Sequence, residues 1–265
     1  MIRYEELCMK TCEVARQAGA FIRQEAGVFS AQKVEEKGIH NFVSYVDKGA
    51  EQLIVEQLHI LLPEAGFIAE EGTAGFRGKR FNWVIDPLDG TTNFIHGLPP
   101  YAVSIGLTEN DRSIMGVVYE VTLDECFYAW QGGGAYLNGK PIRTSDRSAV
   151  KDALIATGFP YCDYHLMRPY IDCLEYFLRH SHGVRRLGSA AADLAYVACG
   201  RFEAFYEYAL SPWDVAGGVL ILQEAGGKLS DFSGNDNYIF GKEIVAANHL
   251  VFNEFLTIVQ KYLQP

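Results

Sequence analysis

Two aspartates follow a short apolar segment and precede a glycine and two threonines. The apolar segment spans residues 81–85, and Asp86 and Asp89 stand three positions apart with a proline fixing the turn between them. Carboxylate oxygens are the ligands that hard divalent cations prefer. Backbone N–H groups at Gly90 and Thr91, where a short helical turn is predicted, can hold a phosphate oxygen. The D-x-x-D-G pattern alone is more typical of a surface loop, but the strand before it and the Gly-Thr-Thr sequence favour a combined cation and phosphate site.

Four further residues supply carboxylates that fit the same cluster. Glu70 and Glu71 follow the apolar residues 67–69, shortly upstream of the strand. Asp214 stands behind a tryptophan at the predicted start of a helix, and Asp47 lies in the first turns of another helix. Each of these carboxylates, taken alone, is more typical of a helix cap or a solvent-exposed face. They belong to one site only if the fold brings them together.

The chain is acidic, with 23 Lys and Arg against 33 Asp and Glu and a formal net charge of −10. No basic stripe is available to replace the counterions of a nucleic acid, which disfavours non-specific nucleic-acid binding. Carboxylates repel a phosphate ester unless cations lie between them. Two divalent ions about 4 Å apart can activate a water on one side of a phosphate and neutralise the leaving oxygen on the other. No cysteine or histidine nucleophile is then needed, and His96, the histidine nearest the motif, is predicted to be structural.

The composition is that of an ordinary globular protein, with 49% apolar and 21% charged residues. The six cysteines form no CxxC pair and no ligand-like spacing with histidine, which disfavours a disulfide framework or a zinc site. The charged, amphipathic N-terminus is unlike a signal peptide, and no apolar run approaches the ~20 residues that span a bilayer. We expect a cytoplasmic protein that binds neither nucleic acid nor membrane.

Hydrophobic periodicity predicts helices, one β-meander and a later α/β part, without a linker or an internal repeat. The strand at residues 81–85 is predicted to end abruptly at Asp86, and residues 101–141 to form the antiparallel meander. A charged stretch at 144–151 predicts a boundary between two halves of one compact unit. The first half, 1–146, is expected to carry most metal ligands, and the second half spans 147–265. The predicted helices span residues 4–25, 44–62, 166–179, 189–199, 213–225 and 251–262, and the remaining predicted strands span 29–34, 154–159, 183–187, 201–208, 228–229 and 244–247.

Four separated motifs resemble those of the inositol monophosphatase family, in the family's order and over nearly the whole chain. This family is part of the lithium-sensitive, magnesium-dependent sugar phosphatase superfamily. The third motif, WVIDPLDGTTNFIHGLP, is the most specific. The second departs slightly, with Ala69 where many relatives have glycine, and its glutamates stand as expected. The motifs lie at residues 43–47, 69–72, 83–99 and 211–218.

The resemblance implies an α+β fold, an αβαβα layered sandwich with the site between the two halves, and a homodimer. It also implies two to three Mg²⁺ ions per site. One ion would be held by Glu70, Asp86 and the backbone carbonyl of Leu88, and a second by Asp86, Asp89 and Asp214. Asp86 would bridge these two ions, and a third, weaker ion would lie near Glu70.

The resemblance further implies the contacts to water and substrate. Thr91, paired with Asp47, would orient and deprotonate the attacking water, and Glu70 would join them as a catalytic residue. The backbone amides of Gly90 and Thr91 would bind the phosphate. The implied substrate contacts are Asp89, Gly90, Thr91, Gly188, Ser189, Ala190, Glu207 and Asp214.

The expected substrate is a small polyol phosphate monoester, above all myo-inositol monophosphate. Thr92 and Asn93 stand where adenosine 3′,5′-bisphosphate phosphatases usually carry Lys-Glu, which disfavours that activity. Fructose-1,6-bisphosphatase activity stays open, because a second phosphate needs only one or two nearby cations and Arg168 or Arg186 could supply them. A non-catalytic binding protein that kept the fold is a further alternative, disfavoured because every expected ligand is present. A calcium-binding protein is disfavoured since no complete EF-hand loop follows the aspartates.

Overall fold

The computed structural model describes residues 3–27, 34–38, 41–73, 76–161 and 163–264, with the backbone alone for 34–38 and 41–44. The strand predicted at residues 29–34 falls, except for Val34, outside these ranges. The helices are α1 (Tyr4–Ala26), α2 (Tyr45–Leu61), α3 (Thr91–Ile95), α4 (Met167–His180), α5 (Ala190–Ala198), α6 (Pro212–Glu224) and α7 (Phe252–Leu263). The strands are β1 (Val34–Gly38), β2 (Asn41–Ser44), β3 (Gly66–Ala69), β4 (Phe81–Asp89), β5 (Ala102–Glu109), β6 (Arg112–Glu120), β7 (Glu125–Trp130), β8 (Gly134–Leu137), β9 (Lys140–Pro141), β10 (Leu154–Thr157), β11 (Gly183–Arg185), β12 (Ala204–Tyr208), β13 (Gly227–Ser230) and β14 (Glu243–Asn248).

Two mixed sheets form the frame. The first has seven strands in the order β3-β4-β5-β6-β7-β8-β9, in which only β3 and β4 are parallel, so the predicted meander is confirmed. The second has five strands in the order β11-β10-β12-β14-β13, with β10 parallel to both of its neighbours.

Helices cover both faces of each sheet. α1 and α2 pack together against β4 and β6, α5 and α6 pack between the two sheets, and α4 and α7 lie against the outer face of the second sheet. The layers therefore follow the order αβαβα, and the predicted fold class is confirmed.

Burial on both sides explains the sequence of the central elements. All nine residues of β4 are buried, since helices cover both faces of its sheet. Every residue of α5 is buried too, because this helix lies between two sheets. Alanine side chains are small enough for such close packing, which explains why the sequence of α5 is rich in alanine.

The end of β4 was predicted wrongly. The strand does not stop at Asp86 but continues to Asp89, with Asp86 opposite Ser104 and Asp89 opposite Ala102. Two residues of β4 therefore face one residue of β5, which is a β-bulge. The bulge contains the proline, whose missing N–H would interrupt a regular ladder. Both aspartates consequently project from a strand and not from a free loop.

Three further findings concern the connection between the sheets, the helices and the cysteines. Residues 142–153 connect the two sheets, and the division into halves 1–146 and 147–265 stays a prediction. Within the described ranges, no helix is long and apolar enough to cross a membrane. Free thiols are found at Cys8, Cys12, Cys126, Cys173 and Cys199, whereas Cys162 lies outside the described residues.

Candidate active site

Asp86 lies at the bulge of β4 and is only 2% exposed. One of its carboxylate oxygens accepts the backbone N–H of Leu88 at 2.9 Å. This short-range bond holds the side chain beside the strand end.

Asp89 connects β4 with the N-terminus of α5. Its Oδ2 accepts the hydroxyl of Ser189 at 2.6 Å and the backbone N–H of Ala191 at 2.7 Å. Ser189 also caps α5, because its Oγ accepts the N–H of Ala192 at 3.3 Å. The N-terminus of a helix stabilises a negative charge, so α5 favours the ionised form of this carboxylate. The predicted substrate segment at residues 188–190 thus contacts the metal motif directly.

Asp214 stands in the first turn of α6. Its Oδ2 accepts the backbone N–H of Ser211 at 2.7 Å, which forms a capping box at the start of the helix. The hydroxyl of Ser104 donates to the carbonyl oxygen of Trp213 at 3.2 Å and ties this turn to β5. Asp214 therefore faces the strand end that carries Asp86.

Thr91 and Asp47 meet across 44 residues of sequence. The hydroxyl oxygen of Thr91 lies 3.0 Å from Oδ1 of Asp47 and 3.0 Å from the carbonyl oxygen of Leu88. Asp47 is 1% exposed, so its carboxylate is buried at the start of α2. The pairing expected of these two residues is present in the structure, whereas their catalytic roles stay a prediction.

Glu70 lies immediately after β3, and its backbone N–H donates to the carbonyl oxygen of Ile85 at 3.2 Å. The loop that follows is anchored by Glu51, a fully buried residue of α2. The carboxylate of Glu51 accepts the N–H of Glu71 and both the N–H and the hydroxyl of Thr73, each at 2.7 Å. Glu51 was not predicted, and the signal for it was a charge on the apolar face of α2.

Burial and mutual repulsion raise the pKa values of the clustered carboxyls. The pKa of Asp86 lies well above the usual range. Burial is the largest cause, and repulsion from Glu70, Asp89 and Asp214 adds to it. Burial raises the pKa of Asp89 to about 6, although the bonds from Ser189 and α5 oppose the shift. Burial and then repulsion from Asp89 raise the pKa of Asp214 to about 7. Such a cluster is unfavourable at neutral pH without a cation.

The donor set fits a hard divalent cation. Buried carboxylates and the neighbouring carbonyl oxygen of Leu88 supply only oxygen, the donor type that Mg²⁺ and Ca²⁺ prefer. In the part of the chain that the structure describes, no three acidic, histidine or cysteine side chains are gathered closely enough to form a ready-made ligand set. Repulsion from Glu70, Asp89 and Asp214, which raises the pKa of Asp86, also opposes a closer approach of these carboxylates.

Gly90 and Gly188 lie against each other next to this cluster. Gly90 has a φ of 95° at the start of α3, and a Cβ there would lie 3.0 Å from the carbonyl oxygen of Pro100 and 3.2 Å from that of Gly188. Only glycine fits this left-handed, crowded position. The side-chain amide of Asn93 donates at 2.8 Å to the carbonyl oxygens of Pro100 and Leu187. The start of α3 is thereby fixed against the segment that leads into α5.

Glu207 lies at the end of β12 and is 8% exposed. Burial raises its pKa well above the usual range, and repulsion from Asp214 and Asp89 adds to this. Asp193 of α5 is 1% exposed, and its pKa also lies well above the usual range. Burial is the largest cause, and repulsion from Glu207 and Asp89 adds to it. Asp193 was not predicted, and its signal was a single carboxylate within an apolar helix. The structure thus brings the residues predicted from both halves to one place.

Arg168 and Arg186, the two cations considered for a second phosphate, differ in position. Arg168 pairs with Asp172 at 3.2 Å on α4, and its side chain is 85% exposed. Arg186 is half-buried and acts electrostatically on Asp89, Asp193 and Glu207. Only Arg186 therefore lies at the candidate site.

A sequence model of the inositol monophosphatase family matches residues 4–264. The chain belongs to the inositol monophosphatase family. Among the relatives that it resembles is an inositol-1-monophosphatase of Mesorhizobium japonicum, 38% identical over 95% of each chain. Another is the Nus factor SuhB of Pseudomonas aeruginosa, 42% identical over 95% of this chain and 94% of the relative. Proteins of this family thus carry two different functional names.

Solved structures of family members superpose closely on the fold. The extragenic suppressor protein suhB of Bartonella henselae matches with a TM-score of 0.88 and 37% identity, covering 94% of this chain and 96% of the other. An IMPase of Thermotoga maritima matches with a TM-score of 0.86 and 34% identity over 96% of each chain. The layered architecture described above is therefore the architecture of the family.

Proposed function

We propose that this protein hydrolyses the phosphate monoester of a small polyol, myo-inositol monophosphate above others, with Mg²⁺ as the cofactor. The observation that carries the proposal is the cluster of buried Asp86 and Asp89 with half-buried Asp214, beside the Thr91–Asp47 pair, in a chain of the inositol monophosphatase family. Mg²⁺ bound by these carboxylates, Glu70 and the Leu88 carbonyl supplies activation of a water molecule and neutralisation of the leaving oxygen.

The chain's own residues orient the reactants. The hydroxyl of Thr91 holds the attacking water, and Asp47, 3.0 Å from that hydroxyl, accepts the proton that the water loses. The backbone N–H groups of Gly90 and Thr91 hold phosphate oxygens at the start of α3. The water oxygen bonds to phosphorus, the ester P–O bond breaks, and the polyol oxygen leaves and takes a proton from solvent.

A polyol is favoured by the groups next to the cluster. Glu207 and the turn at residues 188–190 lie beside Asp89 and offer carboxylate and backbone groups to hydroxyls. A buried acceptor that loses its hydroxyl partner costs about 1–3 kcal/mol, so a substrate without hydroxyls binds poorly. This supports the polyol as the substrate class.

Parallel assays of phosphate release test the proposal. Wild-type protein with Mg²⁺ is given myo-inositol 1-phosphate, fructose 1,6-bisphosphate and adenosine 3′,5′-bisphosphate, and Asp89→Asn serves as the matched variant, since the amide keeps the acceptor for Ser189 and Ala191. We expect the inositol phosphate to have the highest kcat/KM and Asp89→Asn to be at least 100-fold slower. A tenfold preference for another substrate, about 1.4 kcal/mol, contradicts the inositol assignment.

A role as a Nus factor is the second candidate, favoured by the name that relatives at 41–42% identity carry. The two roles differ in what they require of Asp89 and Asp214. A role that depends only on binding a partner protein tolerates the replacement of both aspartates by Asn, whereas hydrolysis does not. Wild-type protein that releases phosphate from none of the three substrates favours this second candidate.

A further inference from the structure

A cavity of about 780 Å³ lies at the end of the first sheet that is remote from the candidate active site. It is bordered by the turn between β5 and β6 and by residues 236–240. Phe81 at the start of β4 pairs with Glu109 beside this turn, whereas Asp89 at the end of β4 belongs to the candidate site. The nine residues of β4 separate the two ends by roughly 26 Å. The cavity is therefore distinct from the carboxylate cluster, and its volume is within the range of small-molecule sites.

Arg77, which borders the cavity, is held in place through its backbone and its side chain. The neighbouring Gly78 donates its N–H to Oδ1 of Asn82 at 2.7 Å, and its carbonyl oxygen accepts the side-chain amide of Asn82 at 3.0 Å. The guanidinium of Arg77 donates to Oδ1 of Asp111 at 2.7 Å and lies 5.3 Å from the ring centroid of Phe240. The side chain is still 55% exposed, and a guanidinium has further N–H donors to offer. Arg77 is thus arranged before a ligand arrives, which lowers the entropic cost of binding.

The turn that supplies Asp111 has an unfavourable backbone conformation. Asn110 and Asp111 have φ values of 50° and 63°, and both central residues of a type I′ turn have positive φ. Glycine is favoured at the second of these positions, since a side chain is strained at positive φ. The aspartate therefore costs backbone stability and supplies the carboxylate that holds Arg77. Strain of this kind is typical of functional sites.

Arg112, the next residue along the chain, has a charge that the protein leaves unpaired. Among the residues that the structure describes it forms no ion pair, whereas Arg77 pairs with Asp111. Its side chain is exposed, so an incoming anion can reach it. Asp236 also borders the cavity, and its negative charge disfavours ligands with several anionic groups. The charges thus favour a ligand with a single anionic group.

The uncharged part of the lining consists mainly of amide and aromatic side chains. Its carboxamide groups belong to Asn110, Gln131, Gln223 and Asn237. Each carboxamide has both donors and an acceptor, as a hydroxyl group does. Gln223 also donates to the hydroxyl oxygen of Tyr238 at 2.9 Å, which fixes an aromatic ring of the lining. This lining fits the hydroxyl groups of a polyol better than it fits a hydrocarbon.

We propose that this cavity is a binding site for a small polyhydroxylated molecule with one anionic group, that is, a sugar phosphate or a sugar acid. Arg112 and Arg77 bind the anionic group through charge-assisted hydrogen bonds, to which the planar guanidinium is well suited. The carboxamide groups bind the hydroxyls. Binding here requires neither the carboxylate cluster nor Mg²⁺, so the inference is independent of the proposed function.

Calorimetric titration in the presence of a chelator, which under the proposed function stops hydrolysis, tests the proposal. The probes are fructose 6-phosphate and gluconate, and the comparison ligands are fructose and inorganic phosphate. We expect the better probe to bind wild type at least about tenfold more tightly than both comparison ligands. The tighter of the two probes distinguishes a phosphate ester from a carboxylate. No binding of either probe, or inorganic phosphate bound as tightly as the better probe, overturns the proposal.

Variants place the interaction at the arginines. We expect Arg112→Gln to weaken binding of the better probe at least about tenfold and Arg112→Lys to weaken it less. The matched control is Arg80→Gln, which removes a charge that pairs with Glu109 outside the cavity, and its affinity stays within about twofold of wild type. Asp111→Gly relieves the turn and frees Arg77, so we expect an unaltered or higher Tm together with about threefold weaker binding. Wild-type affinity in Arg112→Gln, or an equal loss in Arg80→Gln, overturns the proposal.

Hydrogen exchange measured by mass spectrometry shows where the better probe binds. We expect the probe to slow exchange in residues 107–115 and 235–241 and to leave residues 188–196 of the candidate active site unaltered. Slower exchange at residues 188–196 alone would show that the probe occupies the active site and would overturn the separate site.

Discussion

The hydroxyl of Thr91 has two acceptors and one proton. Asp47 Oδ1 and the Leu88 carbonyl oxygen both lie 3.0 Å from Oγ1, and the proton can be donated to only one of them at a time. A cation held by the Leu88 carbonyl would weaken this oxygen as an acceptor and would favour donation of the proton to Asp47. Under the proposed mechanism the hydroxyl oxygen would accept a hydrogen bond from the attacking water, and Thr91 and Asp47 would form the path for its proton.

Replacing Thr91 tests this path at the scale of one atom. Thr91→Val keeps the shape and removes the hydroxyl, and we expect kcat to fall by about 10²–10⁴, the usual contribution of positioned acid–base catalysis. Thr91→Ser keeps the hydroxyl, and we expect a loss of less than about tenfold with KM little altered. Steady-state kinetics on both variants decides the matter. Equal activity of the Val and Ser variants contradicts the role of the hydroxyl.

Closeness along the chain decides which of these residues could be predicted. Asp86, Asp89 and Thr91 occupy one continuous segment, so their joint chemistry is visible in the sequence. Arg186 and Tyr161 stand 25 residues apart and meet only through tertiary packing. No local pattern indicates such a pair, and sequence reasoning could name Arg186 as a cation without placing it.

At the scale of elements, α6 positions Asp214 through an unusually close approach to the first sheet. A Cβ added to Gly217 would lie 2.5 Å from Oγ of Ser104 and 3.0 Å from the carbonyl oxygen of Val117. A Cβ on Gly116 would lie 2.2 Å from the carbonyl oxygen of Gly217. Glycine at these positions lets helix and strands touch backbone to backbone, which brings Asp214 to the end of β4.

Gly217→Ala therefore tests the link between packing and the site. The added methyl must displace α6, and we expect a loss of about 1–3 kcal/mol in the free energy of unfolding, beyond any gain in helix propensity. We also expect kcat/KM to fall, because Asp214 moves with the helix. Chemical denaturation and phosphate release measure the two effects.

The matched control is Gly27→Ala at the end of α1. Gly27 has an ordinary φ of −72°, and its nearest contact would be a backbone oxygen at 3.5 Å. We expect this variant to unfold like wild type within about 0.5 kcal/mol. A Gly217→Ala protein as stable and as active as Gly27→Ala would contradict the packing argument.

Helix bounds could be predicted to within about two residues because their signals are local, such as Pro63 behind α2. The end of β4 could not, since the strand continues through a bulge that depends on pairing with β5. The layer order is likewise not contained in the periodicity of single elements. It was expected from the family resemblance and is confirmed by the packing.

At the scale of the whole molecule, burying several carboxylates together makes stability depend on pH and on metal. Burial raises the pKa values of Asp89 and Asp214 to about 6 and about 7 in the folded protein, from an ordinary value of 3.8. At pH values between the ordinary and the raised pKa, the folded state binds more protons than the unfolded state. The contribution of these groups to stability is therefore full below about pH 4 and is lost as the pH rises toward about 7. On the proposed function, Mg²⁺ would bind the ionised carboxylates and compete with the protons.

We therefore expect the increase in Tm caused by Mg²⁺ to be larger at about pH 8 than at about pH 5.5, where protons occupy the site. Thermal unfolding with Mg²⁺ and with a chelator at both pH values measures it. In Asp89→Asn the difference between the two pH values shrinks, because one titrating ligand is gone. Equal Mg²⁺ effects at both pH values would show that the cluster does not bind the ion.

The central claim is that the buried carboxylates bind Mg²⁺ for phosphate ester hydrolysis. The most direct measurement is the initial rate of phosphate release from myo-inositol 1-phosphate as a function of Mg²⁺ concentration, for wild type, Asp214→Asn and the exposed control Asp236→Asn. The account predicts no release without Mg²⁺, saturable release in wild type and Asp236→Asn, and a rate at least about 100-fold lower in Asp214→Asn at any Mg²⁺ concentration. Release that is independent of Mg²⁺, or an Asp214→Asn variant as active as Asp236→Asn, would contradict it.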